Sequence, residues 1–152
     1  MRVCLGGTFN IFHKGHKKLI DEAFQTAGIN GKVFIGVIEG NILKKKKFVT
    51  PYKNRVKAIK KYIKFKGYNQ IFEIIPIYDK YGLAVDEDFD SIIISQETLE
   101  NANEINKKRI LNGKKPLNVI KIPMILANDN KPISSTRIFN KEIDEDGNII
   151  SK

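Results

Sequence analysis

The residues best suited to chemistry in this chain lie close together near its start, in the stretch Gly6-Gly7-Thr8-Phe9-Asn10-Ile11-Phe12-His13-Lys14-Gly15-His16. They follow the apolar run Val3 to Leu5 and precede a segment with helical periodicity. Glycines, a hydroxyl and two imidazoles therefore fall where a strand edge meets a helix amino-terminus. Helix-end N–H groups lack internal partners, and phosphate binding is the natural use of that geometry. His13 and His16 are the only histidines and sit about one helical turn apart, so both rings can face the same phosphate chain. A structural turn carrying one packed imidazole is the rival reading. Far along the chain, Ser134, Ser135 and Thr136 offer three hydroxyls at another helix start, suited to a nucleotide contact or to ordinary capping.

The elements that must position these groups can be read from hydrophobic pattern. Arg2 to Leu5 forms a first strand, and Leu19, Ile20, Ala23, Phe24 and Ala27 mark a helix over 14–27. Val33 to Ile38 is a second strand whose near-continuous apolar character suits a buried parallel sheet. After the Lys44–Lys47 run, Pro51 opens a helix with Thr50 as its cap. Strands at 71–75, 91–95 and 118–122, a helix over 97–111 and a short helix ending near Asn140 complete the order. The pattern predicts one α/β domain over residues 1–152. Its expected core is a five-stranded, mostly parallel sheet flanked by helices, with a small appendage from about Glu142. In such a sheet the ligand sits at the carboxyl ends of the strands, where the opening loop lies.

Composition bounds the function. The chain has 152 residues, 41% hydrophobic and 29% charged, and its 27 basic against 17 acidic residues leave a net charge of +10. That charge suits nucleic acid or phosphorylated small molecules, or is simply a solvated lysine coat. No aromatic-rich RNA-binding motif supports the nucleic-acid reading. One cysteine and two histidines make no zinc cluster, and the acidic loop Asp86 to Asp90 lacks EF-hand spacing. The dinucleotide fingerprint and the P-loop are both missing. Without a signal region or a spanning apolar run, the expectation is a cytoplasmic protein with no membrane partner.

Gly7-Thr8-Phe9-Asn10…His13-Lys14-Gly15-His16 resembles the opening motif of the HxGH nucleotidyltransferase superfamily, and Ile133-Ser134-Ser135-Thr136-Arg137-Ile138 resembles its second signature. Ser95-Gln96-Glu97-Thr98-Leu99, Glu104-Ile105-Asn106 with Arg109, and Pro116 to Ile120 resemble the archaeal-type phosphopantetheine adenylyltransferases. That resemblance covers almost the whole chain. It implies a Rossmann-like nucleotidyltransferase fold and transfer of AMP from ATP to 4′-phosphopantetheine, with Mg²⁺ accompanying ATP, no nucleic-acid partner and a monomeric protein. Another phosphorylated acceptor is the alternative.

The resemblance implies that His16 and Thr8 act at the transferring phosphate, with Lys44 or Lys46 reaching it from the lysine run. ATP would be held by Gly7, Thr8, His13, Gly15, His16, Ser95, Arg109, Ser134, Ser135 and Thr136. The acceptor would meet Thr8, Asn10, Lys46, Arg55 and Tyr81, with Tyr78 and Leu83 shaping its pocket. Asn10 stands where the family usually has aspartate, and it cannot bring the same negative charge.

Overall fold

The apolar run after Met1 becomes β1 (Arg2–Gly7), the middle strand of a five-stranded sheet in a computed structural model that describes residues 1–45 and 48–150. β2 (Lys32–Ile38), β3 (Ile71–Ile77), β4 (Ser91–Ile94) and β5 (Asn118–Lys121) pair in the order β3-β2-β1-β4-β5. Every pairing in this sheet is parallel.

Alternation along the strands sends side chains to two separate cores. Val3, Leu5, Val33 and Ile35 pack with Ile20 and Phe24 of α1 (Lys14–Ala27) and with Ile59 and Ile63 of α2 (Tyr52–Lys66). Cys4, Phe34, Ile92 and Ile94 pack on the opposite face against Ala102 and Ile105 of α3 (Leu99–Leu111). Covered faces on both sides are what a parallel sheet of isoleucine and valine requires.

The chain builds outward from β1 to β3, then returns to the other side of β1 for β4. That reversal opens a crevice at the carboxyl ends of β1 and β4, where an open α/β sheet takes its ligand. Val3 pairs with Ser91 and Cys4 with Ile92, and the pairing of β1 with β4 ends there.

Two details differ from expectation. Pro51, not Thr50, is the cap residue of α2, and it makes no side-chain capping bond. The Thr50 hydroxyl instead donates to the Asn10 carbonyl, 3.0 Å away. The stretch after Glu142 is also packed rather than appended. Ile143 is 0% exposed and forms a small core with Ala127 and Ile133, while Ile138 of α4 (Ser135–Phe139) rests against it.

Candidate active site

The loop from β1 to α1 is held in a strained shape. Phe9 adopts φ of +51° with its ring fully buried, a conformation costly for a side chain with a Cβ. His13 caps α1: its Nδ1 accepts from the Gly15 amide at 3.0 Å, and the His13 amide donates to His16 Nδ1 at 3.3 Å. The two rings stack with centroids 3.8 Å apart. A Cβ on residue 15 would sit 2.8 Å from the His13 ring, which explains the glycine.

These bonds set the chemistry of both imidazoles. Each Nδ1 is an acceptor, so the proton of each neutral ring resides on Nε2. Burial pushes His13 down to about 4. Burial and the neighbouring His13 push His16 down to about 3, against a smaller opposing effect of the Ile11 carbonyl. At neutral pH the stack is uncharged and offers two Nε2–H donors. The amides expected to be free at this helix end are partly used, because Gly15 serves His13 and Lys14 donates to the Glu145 carbonyl at 3.3 Å.

The two separated sequence blocks meet here. Ser135 Oγ lies 3.3 Å from both the amide and the carbonyl of Ile11, accepting from one and donating to the other. Ser134 Oγ caps α4 through the Arg137 amide, and Thr136 is exposed. The Thr8 side chain is half-buried, and its hydroxyl makes no hydrogen bond among the described residues. Ser95, at the end of β4, caps the short 3-10 turn Gln96–Thr98.

Asn10 explains its own departure from the aspartate pattern. Its Nδ2 donates to the Phe48 carbonyl at 2.9 Å, while its Oδ1 accepts from the Thr50 amide at 2.8 Å. The first bond needs a donor, which an ionised aspartate lacks. Phe48 in turn stacks on Phe139 of α4, with centroids 3.7 Å apart. The segment following the lysine run is thus tied to both signature loops. The Lys44 side chain and Lys46 lie outside the described residues.

Two arginines have other duties. Arg55, expected at the acceptor phosphate, is 2% exposed and turned inward. It donates to the carbonyls of Thr50 (2.9 Å), Thr8 (3.0 Å) and Ile38 (2.7 Å), pinning three loops from beneath. Arg109, expected at ATP, is 3% exposed and spans the carbonyls of Ala84, Glu87 and Lys115. Both guanidinium groups are committed to backbone carbonyls, and a planar fork suits such clusters. Arg137 is engaged by Asp129 and Glu142.

Beside the loop, an apolar cavity of about 240 Å³ runs between the sheet and α3. Gly6, Gly7, Ile77, Leu83, Ile94 and Ile105 are among its walls, and the turn holding Tyr81 lines it as well. Tyr81 donates to Glu104 at 2.8 Å, so its hydroxyl is directed to α3. Tyr78 is exposed and does not line the cavity. Gly36 and Gly82 make room for Ile77, since a Cβ at either would stand 3.0 Å from it.

Residues 4–141 match the cytidylyltransferase-like family. The phosphopantetheine adenylyltransferase of Methanosarcina mazei is 42% identical over 149 residues, covering 97% of this chain and 96% of that protein. That of Archaeoglobus fulgidus is 42% identical over 151 residues, covering 99% and 100%. The chain belongs to the archaeal phosphopantetheine adenylyltransferase family. A crystal structure of a protein of unknown function from Archaeoglobus fulgidus superposes with a TM-score of 0.73 at 34% identity, covering 88% of this chain and 100% of that one.

In this member of the adenylyltransferase family the cavity is also lined by Gly36, Gly82 and Asn101, which lie outside the sequence motifs. Asn101 carried a legible signal. It sits next to Ala102 and four residues before Ile105, a polar side chain on an apolar helix face.

Proposed function

We infer that this protein transfers AMP from ATP to the phosphate of 4′-phosphopantetheine, giving dephospho-coenzyme A and pyrophosphate. The observation that carries the reading is the Ser135–Ile11 junction, which joins the two signature loops beside a long apolar cavity. Relatives at about the same length and 42% identity support the acceptor.

In this reading an oxygen of the acceptor phosphate attacks the α-phosphorus of ATP. The bond from that phosphorus to the bridging oxygen breaks, and pyrophosphate leaves with the electron pair. The acceptor is already a nucleophile, so the protein aligns the two substrates and stabilises charge. His13 and His16 donate their Nε2–H groups to phosphate oxygens, with His16 at the transferring centre. Thr8 supplies its hydroxyl. Gly7 and Gly15 allow close approach, and Ser95, Ser134, Ser135 and Thr136 face the nucleotide side. The pantetheine arm lies in the apolar cavity with Tyr81 and Leu83 at its wall, and a lysine of the 44–47 run reaches the phosphates.

Among the described residues there is no cluster of three or more His, Cys, Asp or Glu side chains. Imidazoles, hydroxyls and the Asn10 amide are poor ligands for a resident magnesium ion, which prefers carboxylates and water. Mg²⁺ therefore enters with ATP as part of the substrate.

The test is a competition among 4′-phosphopantetheine, nicotinamide mononucleotide and flavin mononucleotide as acceptors with MgATP. Dephospho-coenzyme A should dominate the products. Preferential formation of either dinucleotide would reject the acceptor assignment.

A further inference from the structure

Three loops of the site close into a ring of contacts, and one link of that ring is an aromatic pair with no part in the chemistry so far. Ser135 of α4 holds the amide and carbonyl of Ile11 at 3.3 Å. Asn10, next to Ile11, donates to the Phe48 carbonyl at 2.9 Å and accepts from the Thr50 amide at 2.8 Å. Phe48 stacks on Phe139, the last residue of the same α4, with centroids 3.7 Å apart and ring planes 14° from parallel. The ring thus runs from the opening loop to the residues after the lysine run, on to α4, and back to the opening loop. The other end of the lysine-bearing segment also meets an aromatic side chain. At Gly40, where φ is +84° and the 3-10 turn Gly40–Lys45 begins, a Cβ would stand 3.1 Å from the Tyr78 ring.

The Phe48–Phe139 stack lies outside the parts that hold the fold together. Phe139 is 52% exposed, and neither ring belongs to the three buried clusters. Truncating it opens no core cavity, so the cost to global stability is small. Its effect is local: a stacked pair prefers a defined geometry, and here that geometry fixes α4 against the chain leaving the lysine run. We propose that Phe139 is a positioning residue for adenylyl transfer, stacking on Phe48 to hold the lysine-bearing segment against α4 and the opening loop. This rests on the reading that a lysine of that segment reaches the reacting phosphates. Phe139 acts through Phe48 and not on a substrate. Without the stack the segment is in place for a smaller fraction of the time, and a misplaced charged group slows the chemical step more than it weakens binding.

The test measures kcat and the KM for MgATP with 4′-phosphopantetheine in five proteins. They are the wild type, Phe139→Ala, Phe139→Tyr, Phe48→Ala and the double variant Phe48→Ala with Phe139→Ala, all assayed well below their unfolding temperatures. Each single alanine variant should lose about 3- to 10-fold in kcat and keep its KM for ATP within about twofold. The double variant should be no slower than the slower single one, because both substitutions break the same contact. Phe139→Tyr retains the ring and should keep kcat within about twofold of the wild type. Unchanged kcat in Phe139→Ala overturns the proposal. So does a double variant whose loss is the product of the two single losses, or a tyrosine variant as slow as the alanine one. If Phe139→Ala fails to fold, Phe48→Ala breaks the same stack from the other side and leaves the Phe48 carbonyl for Asn10. No adenylyl transfer by the wild type overturns the parent reading and this one together, whereas transfer undiminished by loss of the stack overturns this one alone.

Discussion

Replacing His13 with asparagine isolates the electrostatic state of the stacked histidines. Asparagine keeps an oxygen at the cap position to accept from the Gly15 amide, so the helix start is preserved while one titrating group is removed. Burial holds His13 at about 4, well below the value of ~6.5 for an unfolded histidine. The folded pKa is depressed, so the unfolded state takes the proton first as pH falls. Stability is fully present above ~6.5 and is lost as pH drops toward the folded value. Each pH unit in that window removes about 1.4 kcal/mol, so going from about pH 7.5 to about pH 5 removes roughly 2 kcal/mol through His13 alone.

Urea denaturation at the two pH values measures this directly, because the contributions of other groups largely cancel between the two proteins. The wild type should lose about 2 kcal/mol more than His13→Asn across the interval, equivalent to about 4–8 °C in Tm for a chain of this size. Parallel stability curves would refute the claim that the folded protein holds this imidazole neutral.

Three further substitutions probe the scaffold. Asn10→Asp should destabilise by about 1–3 kcal/mol in thermal or urea unfolding, because a carboxylate cannot donate to Phe48; an unchanged or raised Tm would be inconsistent with that bond. Arg55→Met strands the carbonyls of Thr8, Ile38 and Thr50 and should cost about 3 kcal/mol or more, with Arg55→Lys recovering only part because it lacks the planar fork. A loss confined to the acceptor KM, with stability intact, would return Arg55 to substrate binding. Ser135→Ala removes the tie to Ile11 and should cost about 1 kcal/mol in unfolding together with a drop in kcat. Unaltered kcat would mean that the junction does not position the reacting groups.

The elements were legible in the sequence because their signals are local. The near-continuous apolar run of β2 points to a parallel sheet, and the periodicity over about 14–27 matches α1. Partners distant along the chain were not legible. The sequence offers Arg55 and Arg109 as phosphate ligands, with an exposed helix position or an ion pair as their alternatives, and only folding shows the carbonyls that converge on them. Thr50 looked like a cap because a hydroxyl before proline usually is one, yet Asn10, 40 residues away, takes that hydroxyl. The Nε2–H tautomer of the histidines was equally hidden, since it depends on which backbone amides fold against each Nδ1.

The most direct test of direct adenylyl transfer is a single turnover with ATP labelled in its α-phosphate and excess 4′-phosphopantetheine, quenched and separated. The account predicts the label in dephospho-coenzyme A, an equal amount of pyrophosphate and none on the protein. Label left on the protein, or released only as AMP or ADP, would contradict it.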